Sequence, residues 1–221
     1  MFGKNKILKA EIHDGDYLQV QEIFLTLQGE GPNVGTPAIF IRLGGCNLAC
    51  DFCDTEFDSY QEMSLKDILL QIQNILQKNP KIRLAVITGG EPMRQPITKL
   101  CQELQNIDLK VQIETNGTIF RDLPKEVQII CSPKISKQKY YPIREDLLPK
   151  IDAFKFIISK REPYNQIAKI DQNKLNIPIY LQPMDEYDQT KNKENLDLAI
   201  KLCLENGYIL SLQTHKKIGL P

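Results

Sequence analysis

The chain has no charge of one sign to spare: Lys plus Arg and Asp plus Glu each number 28, and no dense basic run occurs. A nucleic-acid binder gathers its basic residues onto one face, and the Lys216–Lys217 pair is too short to make one. Long apolar runs are missing as well. Met1 to Tyr17 mixes Lys, Glu, His and Asp, which argues against a signal peptide, and nothing later approaches membrane-spanning length. Cytoplasmic residence without nucleic acid or membrane is the expectation. Histidine is scarce, with only His13 and His215, one near each terminus. No internal repeat or low-complexity tract breaks the sequence.

What is present suits an ordinary folded protein. At 221 residues, 42% apolar and 25% charged, one domain spanning 1–221 with a sizeable core is expected. Residues 1–16 form an N-terminal extension without an assigned role. In a reducing compartment the six cysteines are not expected to form a disulfide framework. Their spacing says more: Cys46, Cys50 and Cys53 fall in one short stretch, while Cys101, Cys131 and Cys203 are scattered in apolar runs. The scattered ones read as core residues, because a free cysteine behaves as a small hydrophobe. The clustered ones suggest a metal.

Branched and aromatic residues mark strands at 17–27 and 38–43, separated by a Gly/Pro/Asn turn region. A helix is expected over 64–78 from Leu65, Ile68, Leu69, Ile72, Ile75 and Leu76, with Ser64 as N-cap and Pro80 beyond its end. Further strands are expected at 84–88, 110–114, 127–131, 153–159, 177–182 and 208–212. Helices are expected through 101–105, weakly from Pro163, and over 191–206. The last would turn Leu196, Ala199, Ile200 and Cys203 inward and stop at Gly207. Such alternation indicates an α/β protein with a mainly parallel sheet, whose ligands gather at the carboxyl ends of the strands. The sheet is too short for a full eight-stranded barrel, so a partial, open barrel is the expectation.

Cys46, Cys50 and Cys53 follow a strand in the run Gly44-Gly45-Cys46-Asn47-Leu48-Ala49-Cys50-Asp51-Phe52-Cys53-Asp54-Thr55. Three thiolates in one loop can hold three corners of an iron–sulfur cube and leave the fourth iron open. Zinc also takes thiolates, but a structural zinc site wants a fourth ligand that two terminal histidines do not readily supply. A second run, Val86-Ile87-Thr88-Gly89-Gly90-Glu91-Pro92, ends a strand on residues that allow close backbone approach to a ligand.

The CxxxCxxC spacing with its aromatic resembles the radical S-adenosylmethionine (SAM) signature, and the Gly-Gly run resembles that superfamily's SAM-binding motif. Five further segments narrow the resemblance to the 7-carboxy-7-deazaguanine synthase family. They are the run from Gln21 to Pro32, Glu114-Thr115-Asn116-Gly117, Ser132-Pro133-Lys134, Gln182-Pro183-Met184-Asp185, and Gln213-Thr214-His215-Lys216. The resemblance implies a partial (β/α) barrel that converts 6-carboxy-5,6,7,8-tetrahydropterin to 7-carboxy-7-deazaguanine and ammonia, on the route to queuosine. It implies a [4Fe–4S] cluster on Cys46, Cys50 and Cys53, and SAM along Phe52, Cys53, Asp54, Gly90, Ser132, Pro133, Lys134, Gln182, Pro183, Met184 and Asp185. Substrate positions carried over are Leu27, Gln28, Gly29, Arg42, Thr88 and Pro221, with Mg²⁺ at Thr55. A flavodoxin or ferredoxin as reductant and a homodimer are also implied. Glu91 and Glu114 either orient SAM or serve as satisfied carboxylates, and 135–148 is unmatched. A radical SAM activating enzyme acting on a protein partner would share both cofactor motifs, but has no evident use for the loop Gln28-Gly29-Glu30-Gly31.

Overall fold

The computed structural model describes residues 5–53, 55–168 and 177–220. Two antiparallel strands begin it, β1 (Tyr17–Leu27) and β2 (Pro37–Leu43). A short strand β3 (Gln61–Ser64) pairs with the start of β1. Helix α1 (Leu65–Lys78) follows directly, and the Ser64 hydroxyl caps it by accepting from the Asp67 amide.

Next come β4 (Leu84–Gly89), α2 (Thr98–Asn106), β5 (Lys110–Thr115) and β6 (Gln128–Cys131). A hairpin of β7 (Ile135–Ser136) and β8 (Lys139–Tyr140) precedes β9 (Ala153–Ile158). The chain then runs through β10 (Ile179–Pro183), α3 (Gln189–Asn206), β11 (Ile209–Leu210) and the single turn α4 (Thr214–Lys217).

Nine strands form one sheet in the order β11-β10-β9-β6-β5-β4-β2-β1-β3. From β2 to β11 every pairing is parallel. Successive side chains of a strand point to opposite faces, and here the two faces differ in chemistry. Ile39, Ile41, Ile87, Ile113, Phe154, Phe156 and Leu181 point one way and build the main core with Ile68, Ile72, Leu100 and Leu104 of α1 and α2. The residues between them point the other way. At the amino ends these are apolar, with Ala38, Leu84 and Val86 packing together beside Phe40. At the carboxyl ends they are Arg42, Thr88, Glu114, Lys155 and Gln182, which line a cavity. The result is an open, partial barrel with a greasy floor and a polar mouth.

Several expectations need correction. Ala199 of α3 is buried as expected, but Ile200 is exposed and Asn195 is buried instead, and Asp188 caps the helix by accepting from the Thr190 and Lys191 amides. Asn195 is buried because its amide donates to the Met184 carbonyl and Glu186 while its oxygen accepts from the Lys160 amide. The stretch from Pro163 is turn to 166, and 169–176 lies outside the described residues. Strand β3 and the hairpin inside 135–148 were not expected. Cys101 and Cys131 are core residues as anticipated, and Cys203 packs partly buried against the core.

Candidate active site

The cavity at the carboxyl ends of the strands has a volume of about 560 Å³. That size suits a small organic ligand. Its wall is built strand by strand: Glu22 and Phe24 from β1, Phe40 and Arg42 from β2, Thr88 and Gly89 from β4, Glu114 and Thr115 from β5, Lys155 and Ile157 from β9, and Gln182 and Pro183 from β10. The loops after β1, β2, β4, β5, β6 and β10 and the segment after β11 add the rest.

Three thiols sit on this wall. Cys46, Cys50 and Cys53 pack in one small cluster with Leu48, Phe57 and Tyr141. Burial pushes the Cys46 thiol up to about 12, with Glu91 adding to the rise, and burial also raises Cys50 against the pull of Lys134. Loading a metal here therefore displaces protons. Among the described residues, no three His, Cys, Asp or Glu side chains are gathered to hold a single metal ion. An iron–sulfur cube spreads its thiolates over separate irons, so a wider triad fits it.

The loop after β4 lies against this one. A side chain at Gly90 would place its Cβ 2.1 Å from the Gly45 carbonyl oxygen and 2.9 Å from the Cys46 Cβ. Glycine is therefore required if the two loops are to meet. Glu91 is wholly buried and accepts from the Met93 amide at 3.0 Å, the Thr115 hydroxyl at 2.8 Å and the Asn116 amide at 2.7 Å. Burial still raises its pKa. Its oxygens are taken up by its own neighbours, so it fixes the loop.

Within the thiol loop, Phe52 meets Tyr164 edge-on at 5.2 Å and packs with Met184 and Ile135. The Tyr164 hydroxyl donates to Asp51 at 3.0 Å, and Arg161 lies 3.3 Å from the same carboxylate. Lys134 donates to the Ser132 carbonyl at 2.8 Å and hydroxyl at 2.6 Å. Asp185 accepts from the Tyr187 amide and the Asn192 side chain and lies 3.6 Å from Lys216.

Deeper in, Lys155 is buried between two carboxylates, 2.5 Å from Glu30 and 2.8 Å from Glu114. Glu30 also accepts from Gln182 at 3.1 Å and Gln213 at 2.9 Å. Burial works against its charge, yet Lys155 and Gln213 outweigh burial and hold its pKa at about 2. This network joins the loop after β1 to β5, β9, β10 and the segment after β11. On side chains that line the cavity, two amide atoms have no partner among the described residues, Gln28 Nε2 and Gln182 Oε1. A buried polar atom left alone costs free energy, which a bound ligand can recover.

Of the anticipated site residues that are described, all but two share one cavity. Gly29 and Pro133 are off its wall. A Cβ on Gly29 would fall 1.9 Å from His215 Nδ1, so Gly29 makes room for His215, which does line the cavity. Asp54 and Pro221 lie outside the described residues. Arg42 lines the cavity, stacks over Phe24 at 5.5 Å and pairs with Glu22 at 3.1 Å, though its Nε–H makes no aligned hydrogen bond among the described residues. Sequence reasoning missed Glu30, Lys155, Gln213 and His215 as members of the wall. Glu30, Gln213 and His215 lay within segments that carried the resemblance, and Lys155 was signalled as a lysine inside the apolar strand Ala153–Ile158, where only a paired charge is tolerable.

A partial barrel with three thiols and a glycine turn at the strand ends defines a radical SAM protein, and the Radical SAM superfamily model matches residues 40–132. A 7-carboxy-7-deazaguanine synthase of Rickettsia prowazekii is 56% identical over 100% of this chain and 96% of its own length. One from Rhodospirillum rubrum is 36% identical, covering 98% of each. The crystal structure of QueE from Escherichia coli matches with a TM-score of 0.74 at 29% identity, over 90% of this chain and 95% of that one. The chain belongs to the 7-carboxy-7-deazaguanine synthase family. Membership implies a [4Fe–4S] cluster and SAM as cofactors, which the thiol triad and the glycine-lined approach accommodate.

Proposed function

We propose that the chain carries out the radical ring contraction of 6-carboxy-5,6,7,8-tetrahydropterin to 7-carboxy-7-deazaguanine with loss of ammonia, in deazapurine biosynthesis. When bound, the cluster and SAM supply an electron and a carbon-centred radical able to take hydrogen from carbon. The protein's part is to bind, orient and exclude water.

Cys46, Cys50 and Cys53 would hold the cluster, and Gly90, Phe52, Cys53, Ser132, Lys134 and Gln182 to Asp185 would hold SAM. Leu27, Gln28, Arg42 and Thr88 would meet the pterin. Arg42 is the cation for its carboxylate, since a guanidinium forks onto a carboxylate well and this one lines the cavity. Gln28 Nε2 and Gln182 Oε1 give the heterocycle a donor and an acceptor. Lys155, Glu30 and Glu114 hold Gln182 and the deep wall in place, so that these atoms are aimed before substrate arrives. Thr55, also on the wall, is the proposed Mg²⁺ position, where a hydroxyl would add one oxygen to ligands from substrate and water. The same proposal includes a flavodoxin or ferredoxin as electron donor and a homodimer in the cytoplasm. No helix among the described residues is long and apolar enough to cross a membrane.

The observation that carries this reading is the convergence of the thiol loop, the glycine turn and the uncommitted polar atoms on one cavity of small-molecule size. Anaerobic incubation with SAM, dithionite, Mg²⁺ and the carboxytetrahydropterin, followed by mass analysis, tests it. Formation of 7-carboxy-7-deazaguanine is expected. Cleavage of SAM without that product would refute the substrate assignment.

A further inference from the structure

Residues 5–11 precede every motif of the site, yet they lie across the back of the cluster loop. The Leu8 amide donates to the carbonyl of Cys46 at 2.8 Å, and Ile7 forms an isolated parallel bridge to the same residue. Asn5 reaches the Thr55 carbonyl at 3.5 Å, so the segment touches both ends of the loop.

Arg94, at the end of the glycine turn, is the knot that ties this segment down. Its guanidinium is buried, and Nη1 donates to Glu11 at 2.8 Å and to the Lys9 carbonyl at 3.4 Å. Its Nη2 donates to the Gly44 carbonyl at 3.1 Å and to the Gln19 side chain. The backbone closes the ring: Glu11 N donates to the Arg94 carbonyl at 2.8 Å, and Glu91 N to the Gly45 carbonyl at 3.1 Å. Arg121 adds a second clamp, donating to the carbonyls of Glu11 at 2.6 Å and Arg94 at 2.9 Å. Packing leaves no slack, because a Cβ on Gly45 would lie 2.8 Å from Arg94 Nε, Arg94 Nη2 and Leu8 Cδ1 alike.

We infer that residues 5–11 are a clasp of the cofactor site, in which Glu11 and Arg94 are positioning residues that hold the Cys46 end of the cluster loop against the glycine turn. The physical reason lies in the loop itself. From Gly44 to Cys53 it has no regular secondary structure and so few backbone bonds of its own. Without an outside partner, the carbonyls of Gly44 and Cys46 would be free to swing, and with them the thiol of Cys46. Among the described residues, Glu11 is the one carboxylate paired with the buried guanidinium of Arg94. The inference rests on Cys46 being a cluster ligand.

The test uses the reconstituted full-length holoenzyme and follows iron release to a ferrous chelator under nitrogen. Glu11→Ala is compared with wild type and with Leu198→Ala, which weakens the packing of α3 at the other edge of the sheet. Each protein is measured equally far below its own melting temperature. Glu11→Ala is expected to release iron about tenfold faster than Leu198→Ala, as befits a lost charge-assisted hydrogen bond at the loop. Glu11→Gln, which keeps a hydrogen-bond acceptor, should restore most of the difference. If Glu11→Ala does not fold, Leu8→Pro removes the N–H that the Cys46 carbonyl accepts and is judged by the same comparison. Iron release no faster than in Leu198→Ala overturns the clasp. A wild-type chain that takes up no iron would instead overturn the ligand assignment, so the two failures are distinct.

Discussion

Replacing Lys155 by methionine is the most informative perturbation of the deep wall. The lysine is 7% exposed and lies between Glu30 and Glu114, whose side chains are 16% and 13% exposed. Methionine fills much the same volume but leaves two carboxylates buried without their cation. Removing one partner of a buried pair costs roughly 3–5 kcal/mol. Wild-type Glu30 offers a second measure of the same interaction. Its pKa falls from 4.5 to about 2, burial opposing and Lys155 prevailing, which corresponds to about 3 kcal/mol of stability.

The sign with pH follows. A depressed carboxylate contributes fully above its unfolded value, so wild type should hold this stability above about pH 4.5 and lose it as pH falls toward 2. Lys155 is raised, so its share is intact below 10.5 and is lost only in strong alkali. In Lys155→Met, burial of the unpaired carboxylates favours their protonated forms instead. The variant should therefore be about 3–5 kcal/mol weaker at pH 7 and recover part of that by pH 5. Urea unfolding of the metal-free chain at pH 7 and pH 5 measures both. A variant within 1 kcal/mol of wild type at pH 7, or one that loses stability between pH 7 and 5, would refute the reasoning.

Cys46→Ala, Cys50→Ala and Cys53→Ala should each lose most cluster iron and all turnover. Cys101→Ala, wholly inside the core, should keep both at a cost of about 1 kcal/mol, as iron assay and thermal melts will show. Gly90→Ala drives a Cβ to 2.1 Å from the Gly45 carbonyl, so the loops must part. The expected result is a loss of about 1–3 kcal/mol together with SAM affinity measured by equilibrium dialysis. Asp188→Ala removes the cap of α3 and should cost about 1 kcal/mol in urea unfolding, with iron content unchanged.

The sequence alone determined the features that act locally. Apolar spacing from Leu65 to Leu76 and a hydroxyl at Ser64 specify α1 because a helix is stabilised by neighbours three and four residues apart. Alternation of strands and helices specifies the parallel order of the sheet. Three cysteines within one loop specify a shared metal chemistry, and motif order specifies the family. Tertiary structure decided what depends on distant segments meeting. Lys155 becomes tolerable inside a strand only because Glu30 and Glu114, far off in the chain, close around it. Gly29 leaves the cavity wall because His215 needs its space, and Ile200 faces solvent because Asn195 carries bonds that anchor the other side of α3. Residues 5–11 have no pattern of their own to mark them. Their backbone bonds go to the cluster loop and to the glycine turn, and backbone hydrogen bonding leaves no trace in side-chain identity.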